Sequence, residues 1–232
     1  MTTSKMRYQV QVVEAVLDHG YVELVDHMGD DDAPVDAARV SFAKAASNYT
    51  TEQNDKLTQY LIEHDHGTPF EMVTFKFRVH APVVVWWQWV RHRMASYNFV
   101  SGRYVPFDDE QVHHPVAWRL QSKTNKQGSA AGEFLPEDVA RRVDAQVALL
   151  RRDCFKLYGD LLAAGVAKEQ ARLVLPGFAM YYTAIVQMNA RSLMNFLRLR
   201  EDAHAQEEIR LYAQAVRLIV ARTHPRLFGG CR

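Results

Sequence analysis

The seven residues Val73-Thr74-Phe75-Lys76-Phe77-Arg78-Val79 alternate without a break between apolar and polar side chains. Successive side chains of a strand point to opposite faces, so the run predicts a β-strand with Val73, Phe75, Phe77 and Val79 on one buried face. Thr74, Lys76 and Arg78 then lie on the other. Such a strand needs neighbours to satisfy its backbone and an apolar layer to cover one side. The chain must therefore contain a sheet with a core built against it.

The flanking segments supply candidates for both. Tyr8 to Val16 is rich in β-branched residues and partly alternating, and Tyr21 to Val25 is similar, so both read as strands. A helix is predicted after Pro34, through Ala38 and Val40 to Ala45. Another takes Thr51 as its cap, shows Leu57, Tyr60 and Leu61 at helical spacing, and stops at Gly67. Thr68-Pro69-Phe70-Glu71 has the form of a capping box with proline at the first helical position.

The segment PVVVWWQWVRHRMAS from Pro82 is ambiguous, because its valines and tryptophans also favour strands. Between Gly102 and Pro136 the chain is polar and punctuated, and KTNKQGSAAG reads as a mobile loop. Pro136 to Ala164 reads as one long helix with Val139, Val143, Val147, Leu150, Cys154, Leu157 and Leu161 on its packing stripe. A short helix around Arg172 ends at Pro176, and the apolar, uncharged stretch Phe178 to Met188 reads as a strand. Asn189 can cap a helix through Leu199, and a last helix from about His204 to Arg222 turns Ile209, Tyr212, Val216 and Ile219 inward. There is no internal repeat. The expectation is a mixed α and β fold forming one domain over residues 1–232.

Composition narrows the function. A formal net charge of +1 disfavours a protein built around a nucleic-acid backbone, which needs a broad basic face. An anion bound here should be small and locally held. No apolar run is long enough to span a membrane, and MTTSKMRYQV lacks the pattern of a secretory signal, so the simplest expectation is a soluble cytoplasmic protein. The only cysteines, Cys154 and Cys231, make neither a disulfide framework nor a cysteine-built zinc site.

Two polar clusters interrupt this pattern. Residues 91–104, RHRMASYNFVSGRY, gather Arg91, His92, Arg93 and Arg103 where an apolar segment breaks into a glycine-containing turn. Guanidinium forks suit phosphate and carbonyl oxygens, while Ser101 and the backbone at Gly102 can donate from a turn, which makes an anion cradle. Gln88 lies three residues before Arg91, so on a helix the two share a face. The plainer alternative is a solvated helix end whose arginines complement the dipole.

The second cluster is Asn189, Ala190 and Arg191 with Asn195, Arg200 and His204, where Asn195 follows Arg191 by four residues and His204 follows Arg200 by four. Alone it also reads as a helix surface with a capping asparagine. His64-Asp65-His66 and His113-His114 invite a metal reading, but no further ligand stands at a recognisable spacing. No metal is expected.

Arg91-His92-Arg93, seven residues and then Ser101 resembles the signature of the flavin-dependent thymidylate synthases, the ThyX family. The resemblance extends to DAARVSF at Asp36 to Phe42, HGTPFE at His66 to Glu71, WRLQSKTNKQGS at Trp118 to Ser129, ARLVLP at Ala171 to Pro176, and NARSLMNFLRLREDAHAQEEI at Asn189 to Ile209. It favours a helix after Pro82. It also implies an α/β (mixed α+β) fold with a central sheet flanked by helices, assembled as a homotetramer with active sites shared between subunits. FAD would be the bound cofactor, NADPH its reductant and methylenetetrahydrofolate the carbon donor for methylation of dUMP.

By the same resemblance, Thr68, Arg91, His92, Arg93, Asn189, Arg191 and Asn195 would hold FAD. Gln88, Arg91, Ser101, Gly102, Arg103, Arg172 and Arg200 would hold the nucleotide, and His66 would lie on the flavin and folate side. Arg200 would stabilise the uracil as it ionises at N3, since a fixed cation aimed at developing charge lowers the barrier to making carbon 5 nucleophilic. The alternative route, thiolate addition at carbon 6, needs an activated cysteine in the pocket, which neither Cys154 nor Cys231 is placed to supply.

One position departs from the family. Phe99 stands where a glutamate is usual, which removes an acceptor and a charge beside the nucleotide sugar and opens UMP as an alternative substrate, as in nucleoside-antibiotic pathways. Two other classes compete with these enzymes: a silent nucleotide or flavin sensor, opposed by the presence of both Arg200 and Ser101, and an RNA-binding platform, opposed by the near-neutral charge.

Overall fold

Val73, Phe75, Phe77 and Val79 are all 0% exposed, so the alternating run is realised as read. The structure, a computed structural model, describes residues 12–230. Its strands are β1 (Val12–Val16), β2 (Gly20–Met28), β3 (Thr74–Pro82), β4 (Ala95–Phe99), β5 (Arg119–Gln121), β6 (Ser129–Phe134) and β7 (Tyr181–Asn189). Residues 8–11 of the first predicted strand lie outside the described residues. Five strands form one antiparallel sheet in the order β1-β2-β3-β7-β4, and β5 pairs with β6.

The helices are α1 (Ala33–Arg39), α2 (Thr51–Glu63), α3 (Val83–Trp89), α4 (Glu137–Ala163), α5 (Lys168–Ala171), α6 (Ala190–Arg200), α7 (Glu207–Thr223) and α8 (Pro225–Phe228). Leu61 of α2, Trp89 of α3, Leu193 and Phe196 of α6, and Ile209, Tyr212, Val216 and Ile219 of α7 join Phe75 and Phe77 in one core. The opposite side of β3, carrying Thr74, Lys76 and Arg78, is half-buried and polar. The sheet is thus covered by this helical layer on the face that the sequence marks as apolar.

Local caps explain several boundaries. Asn189 Oδ1 accepts from the Ser192 backbone N–H at 2.8 Å and starts α6 as expected. The cap of α2 is Thr50 rather than Thr51, because Thr50 and Gln53 satisfy each other's backbone donors reciprocally. The expected capping box at Thr68 does not form. Residues Thr68–Met72 make a 3₁₀ turn with no side-chain cap, and Glu71 instead pairs with Arg191.

Three expectations give way to tertiary pairing. The ambiguous segment after Pro82 is helical only to Trp89, and Ala95–Phe99 leaves it to pair with β7 as an edge strand. KTNKQGSAAG is no free loop, since Ser129–Phe134 closes a hairpin on Arg119–Gln121. The long helix α4 forms as read, yet its stripe is not core: only Tyr158 is buried, while Leu150 is 63% and Leu157 46% exposed. Cys154 is half-buried there, and Cys231 lies outside the described residues. Among the described residues, no helix is long and apolar enough to cross a membrane.

Candidate active site

Antiparallel pairing sorts the expected residues into two groups at the two ends of β4 and β7. Ala95 is opposite Met188, which brings the Arg91-His92-Arg93 turn to the end of β7 that leads into Asn189 and α6. At the other end Phe99 is opposite Ala184, and the Val100 backbone N–H donates to the Thr183 carbonyl at 2.9 Å. At about 3.3 Å per residue, β4 alone separates the groups by roughly 13 Å.

The first group centres on Arg200, the last residue of α6. Its Nε donates to Nε2 of His92 at 2.9 Å, and its Nη2 donates to the carbonyl of Gln88 at 3.3 Å. His92 also packs edge-on against Phe196, with ring centroids 5.0 Å apart. Burial and then the Arg200 charge push His92 down to about 4 from its usual 6.5, so the ring is neutral and offers a lone pair. Burial and then the neighbouring Arg91 cation also lower Arg200. Two guanidinium groups so placed favour an anionic ligand.

The same end holds the cofactor candidates. Arg191, in the first turn of α6, pairs with Glu71 at 2.6 Å. A Cβ on Gly67 would stand 2.5 Å from Arg191 Nε, so glycine leaves the space this guanidinium occupies. Arg91 and Arg93 are exposed and their side chains have no ion pair or hydrogen bond among the described residues. Uncommitted guanidiniums beside a capped helix N-terminus are the donor chemistry a dinucleotide's diphosphate requires, so these residues fit such a group. Asn195 accepts from Arg198 at 3.0 Å on the exposed side of α6. Thr68 and His66 are exposed on the neighbouring turn.

The second group surrounds Ser101 and Gly102. The Ser101 carbonyl accepts from the Tyr104 N–H at 3.0 Å and the Val105 N–H at 3.2 Å, which makes a tight turn. Gly102 is buried against Phe107, whose Cε2 would be 2.3 Å from an added Cβ, and Arg172 Nη1 would be 3.4 Å away. Arg103 pairs with Glu169 at 3.1 Å. Phe99 stands edge-on to Trp86 with centroids 4.8 Å apart, bordering an apolar recess with Val83, Trp87, Val90 and Tyr182.

Some expected pairings do not occur. Helix α3 ends at Trp89, so Gln88 and Arg91 do not share a helical face, and the Gln88 side chain turns to Gln206. Helix α6 ends at Arg200, and His204 is 84% exposed against Asp202 rather than beside Arg200. His64 stacks on Tyr60 at 4.0 Å, and His113 donates to Asp18 at 2.7 Å. Among the described residues, no group of three or more His, Cys, Asp or Glu side chains could hold a metal. The partners Gln206, Glu208 and Arg119 are not marked by any pattern in the sequence, and Glu71 is marked only as part of a capping box, although all four lie inside the blocks that carry the resemblance.

The family model described as Thymidylate synthase complementing protein matches residues 23–226. A flavin-dependent thymidylate synthase of Thermus thermophilus is 45% identical over 213 residues, covering 90% of this chain and 74% of its own length. One from Kosmotoga olearia is 44% identical over 203 residues, covering 87% and 85%. The crystal structure of a UMP/dUMP methylase, PolB from Streptomyces cacaoi, bound with 5-Br dUMP matches with a TM-score of 0.80 at 32% identity, over 93% of this chain and 96% of that one. With the match spanning both polar groups and the sheet between them, the chain is an enzyme and belongs to the flavin-dependent thymidylate synthase family.

Proposed function

We propose that this enzyme methylates carbon 5 of uracil in dUMP, giving dTMP, with FAD as cofactor, NADPH as reductant and methylenetetrahydrofolate as carbon donor. The observation that carries the reading is the fixed guanidinium of Arg200, held by neutral His92 and the Gln88 carbonyl. A cation so held stabilises negative charge on a pyrimidine ring without reorganising, which makes carbon 5 nucleophilic. It takes the part that a thiolate plays in the alternative chemistry. Cys154 is half-buried on α4, whose main contacts are with α5 and the Arg172 turn.

Arg91, His92, Arg93, Asn189, Arg191 and Asn195 would hold FAD, with Thr68 and His66 on the adjoining turn. The chemistry supplied by that group is the two-electron reduction that turns the transferred one-carbon unit into a methyl. Ser101, Gly102, Arg103 and Arg172 would hold the nucleotide phosphate, while Gln88, Arg91 and Arg200 address the base. Because these sets lie at opposite ends of β4, we assign them to different copies of the chain, in a homotetramer with shared sites. Mixing inactive Arg200→Ala and Arg103→Ala subunits should then restore activity.

A second reading concerns the sugar. The ring of Phe99 offers no acceptor to a ribose hydroxyl, and this favours acceptance of UMP alongside dUMP. The deciding experiment is to purify the protein, record its flavin spectrum, and identify the product from each nucleotide separately. A colourless preparation that cannot be reconstituted with FAD, yet still converts substrate, would overturn the proposal.

A further inference from the structure

Gln88 is tied to the loop before α7 through a chain of side chains. Its Nε2 donates to Oε1 of Gln206 at 2.6 Å, and Nε2 of Gln206 donates to Oε2 of Glu208 at 2.8 Å. The other oxygen of Glu208 accepts from Nη2 of Arg119. Arg119 is itself anchored across the β5–β6 hairpin by donation from Nε to Ser129 Oγ at 3.0 Å, and its Nη1 lies 3.5 Å from Glu207. Glu208 is only 6% exposed although it is charged.

These bonds have a direction. An ionised carboxylate only accepts, and a guanidinium only donates. Burial opposes ionisation of Glu208, but the hydrogen bonds from Arg119 and Gln206 outweigh it and hold the carboxyl below its usual value. Gln206 must therefore turn its NH₂ toward Glu208 and its carbonyl oxygen toward Gln88. Gln88 must in turn give its NH₂ to Gln206, which leaves its own Oε1 as the end without a hydrogen bond among the described residues. An amide is nearly symmetric in shape, so its ends are told apart by hydrogen bonds. Nε2 of Gln88 also donates to the Val84 carbonyl at 3.4 Å, a long contact favouring the same orientation, and the 2.6 Å bond to Gln206 is the stronger of the two.

We propose that Arg119, Glu208 and Gln206 form a positioning relay that sets the amide of Gln88 so that it meets the nucleotide as a hydrogen-bond acceptor. The inference rests on Gln88 being a nucleotide contact, as proposed above. Its function would be selectivity: a nucleotide group that donates is accepted, and one that only accepts is rejected because it leaves buried polar atoms unpaired.

The logic allows a reversal and a restoration. In Glu208→Gln, Arg119 donates to the new amide oxygen, the new NH₂ donates to Gln206, and Gln88 is turned to present NH₂. In the double variant Gln206→Glu with Glu208→Gln, residue 206 accepts from both sides, and Gln88 again presents oxygen. The test measures dUMP binding by calorimetry on the FAD-loaded protein, KM and kcat for methylation, FAD affinity and melting temperature. Glu208→Gln should raise Kd and KM about tenfold with kcat changed much less, and the double variant should recover most of the loss. FAD affinity should stay constant in both.

A merely structural role predicts that the double variant is no better than the single one, and that outcome would overturn the relay. So would a Kd within twofold of wild type in a folded Glu208→Gln protein. If Glu208→Gln does not fold, Gln206→Met serves instead, since it removes the group that orients Gln88, and an unchanged Kd there counts against the proposal. Failure of the wild type itself to bind or methylate a uridine nucleotide would reject the proposed function, and with it the relay's premise.

Discussion

Arg200 Nε donates to His92 Nε2 across 2.9 Å, joining the end of α6 to the centre of the Arg91-His92-Arg93 turn. A guanidinium can donate there only to a neutral imidazole, whose remaining proton is then on Nδ1. One hydrogen bond thus fixes the direction of the cation and the tautomer of the histidine. The Gln88 carbonyl, 3.3 Å from Nη2, adds a second point of attachment.

Removing the cation should damage chemistry more than binding. Arg200→Ala is expected to lower turnover roughly 10²–10³-fold, the usual scale for loss of one preorganised stabilising group. Arg191→Ala should instead weaken FAD retention about tenfold and leave turnover at saturating FAD little changed. Steady-state kinetics with FAD titration separates them, and intact turnover in Arg200→Ala refutes the role given to Arg200.

The His92 contact has a pH signature. Its value is depressed from 6.5 to about 4, so below 6.5 the unfolded chain takes up a proton that the folded one resists. Stability should therefore be level with respect to this group above pH 6.5, fall as pH drops toward about 4, and level again below it. His80 and His224, also lowered mainly by burial, act with the same sign. Urea denaturation from pH 8 to pH 4 measures the slope, and His92→Gln should reduce it.

Gly67→Ala offers a test of the cofactor end with little effect on folding. The added Cβ would approach Arg191 at Nε, Cζ and Cδ, between 2.5 and 2.9 Å, and these are the far atoms of a flexible side chain. The side chain should yield by leaving Glu71, so FAD affinity should fall while the melting temperature moves by only a degree or two, as expected for well under about 1 kcal/mol. Unchanged FAD affinity would dissociate Arg191 from the cofactor.

Phe99 should control the choice of sugar. An apolar contact excludes an added hydroxyl by only about 10²-fold, whereas a hydrogen-bonding site reaches roughly 10⁴ or more. UMP should thus be used within about 10²-fold of dUMP, and Phe99→Glu should widen the gap. The ratio of kcat/KM values for the two nucleotides checks this, and strong rejection of UMP by the wild type ends the relaxed-sugar reading.

At the far end of the sheet, Gly20 cannot be enlarged. A Cβ there would lie 1.9 Å from the Tyr212 hydroxyl, 2.6 Å from the Val16 carbonyl oxygen and 2.9 Å from the His80 carbonyl oxygen. Tyr212 is fully buried and donates to that His80 oxygen at 2.7 Å, so neither can retreat cheaply. Gly20→Ala should cost about 1–3 kcal/mol in urea unfolding. An unchanged midpoint would show that the β1–β2 turn has more freedom than its packing implies.

Legible in the linear pattern were several features with a local period or a local partner, though not all, since the α4 stripe and the Thr68 capping box read the same way and are realised neither as core nor as cap. The alternation at residues 73–79, the inward stripe Ile209, Tyr212, Val216 and Ile219, and the Asn189 cap are all realised as read. Each is specified by residues within one or two turns, so no distant contact is needed to recognise it. The family resemblance likewise points to Arg200, His92 and Gln88, which the fold joins through two hydrogen bonds of the Arg200 guanidinium.

Tertiary structure decided whatever depends on partners remote in the chain. That Ala95–Phe99 is a strand follows from β7, some ninety residues later, and that the α4 stripe stays exposed follows from where the core already closed. The Arg191–Glu71 pair and the path from Arg119 through Glu208 and Gln206 to Gln88 join segments over a hundred residues apart in two of their links. Hydrogen-bond direction is set where side chains meet in space, and a linear pattern carries no record of those meetings.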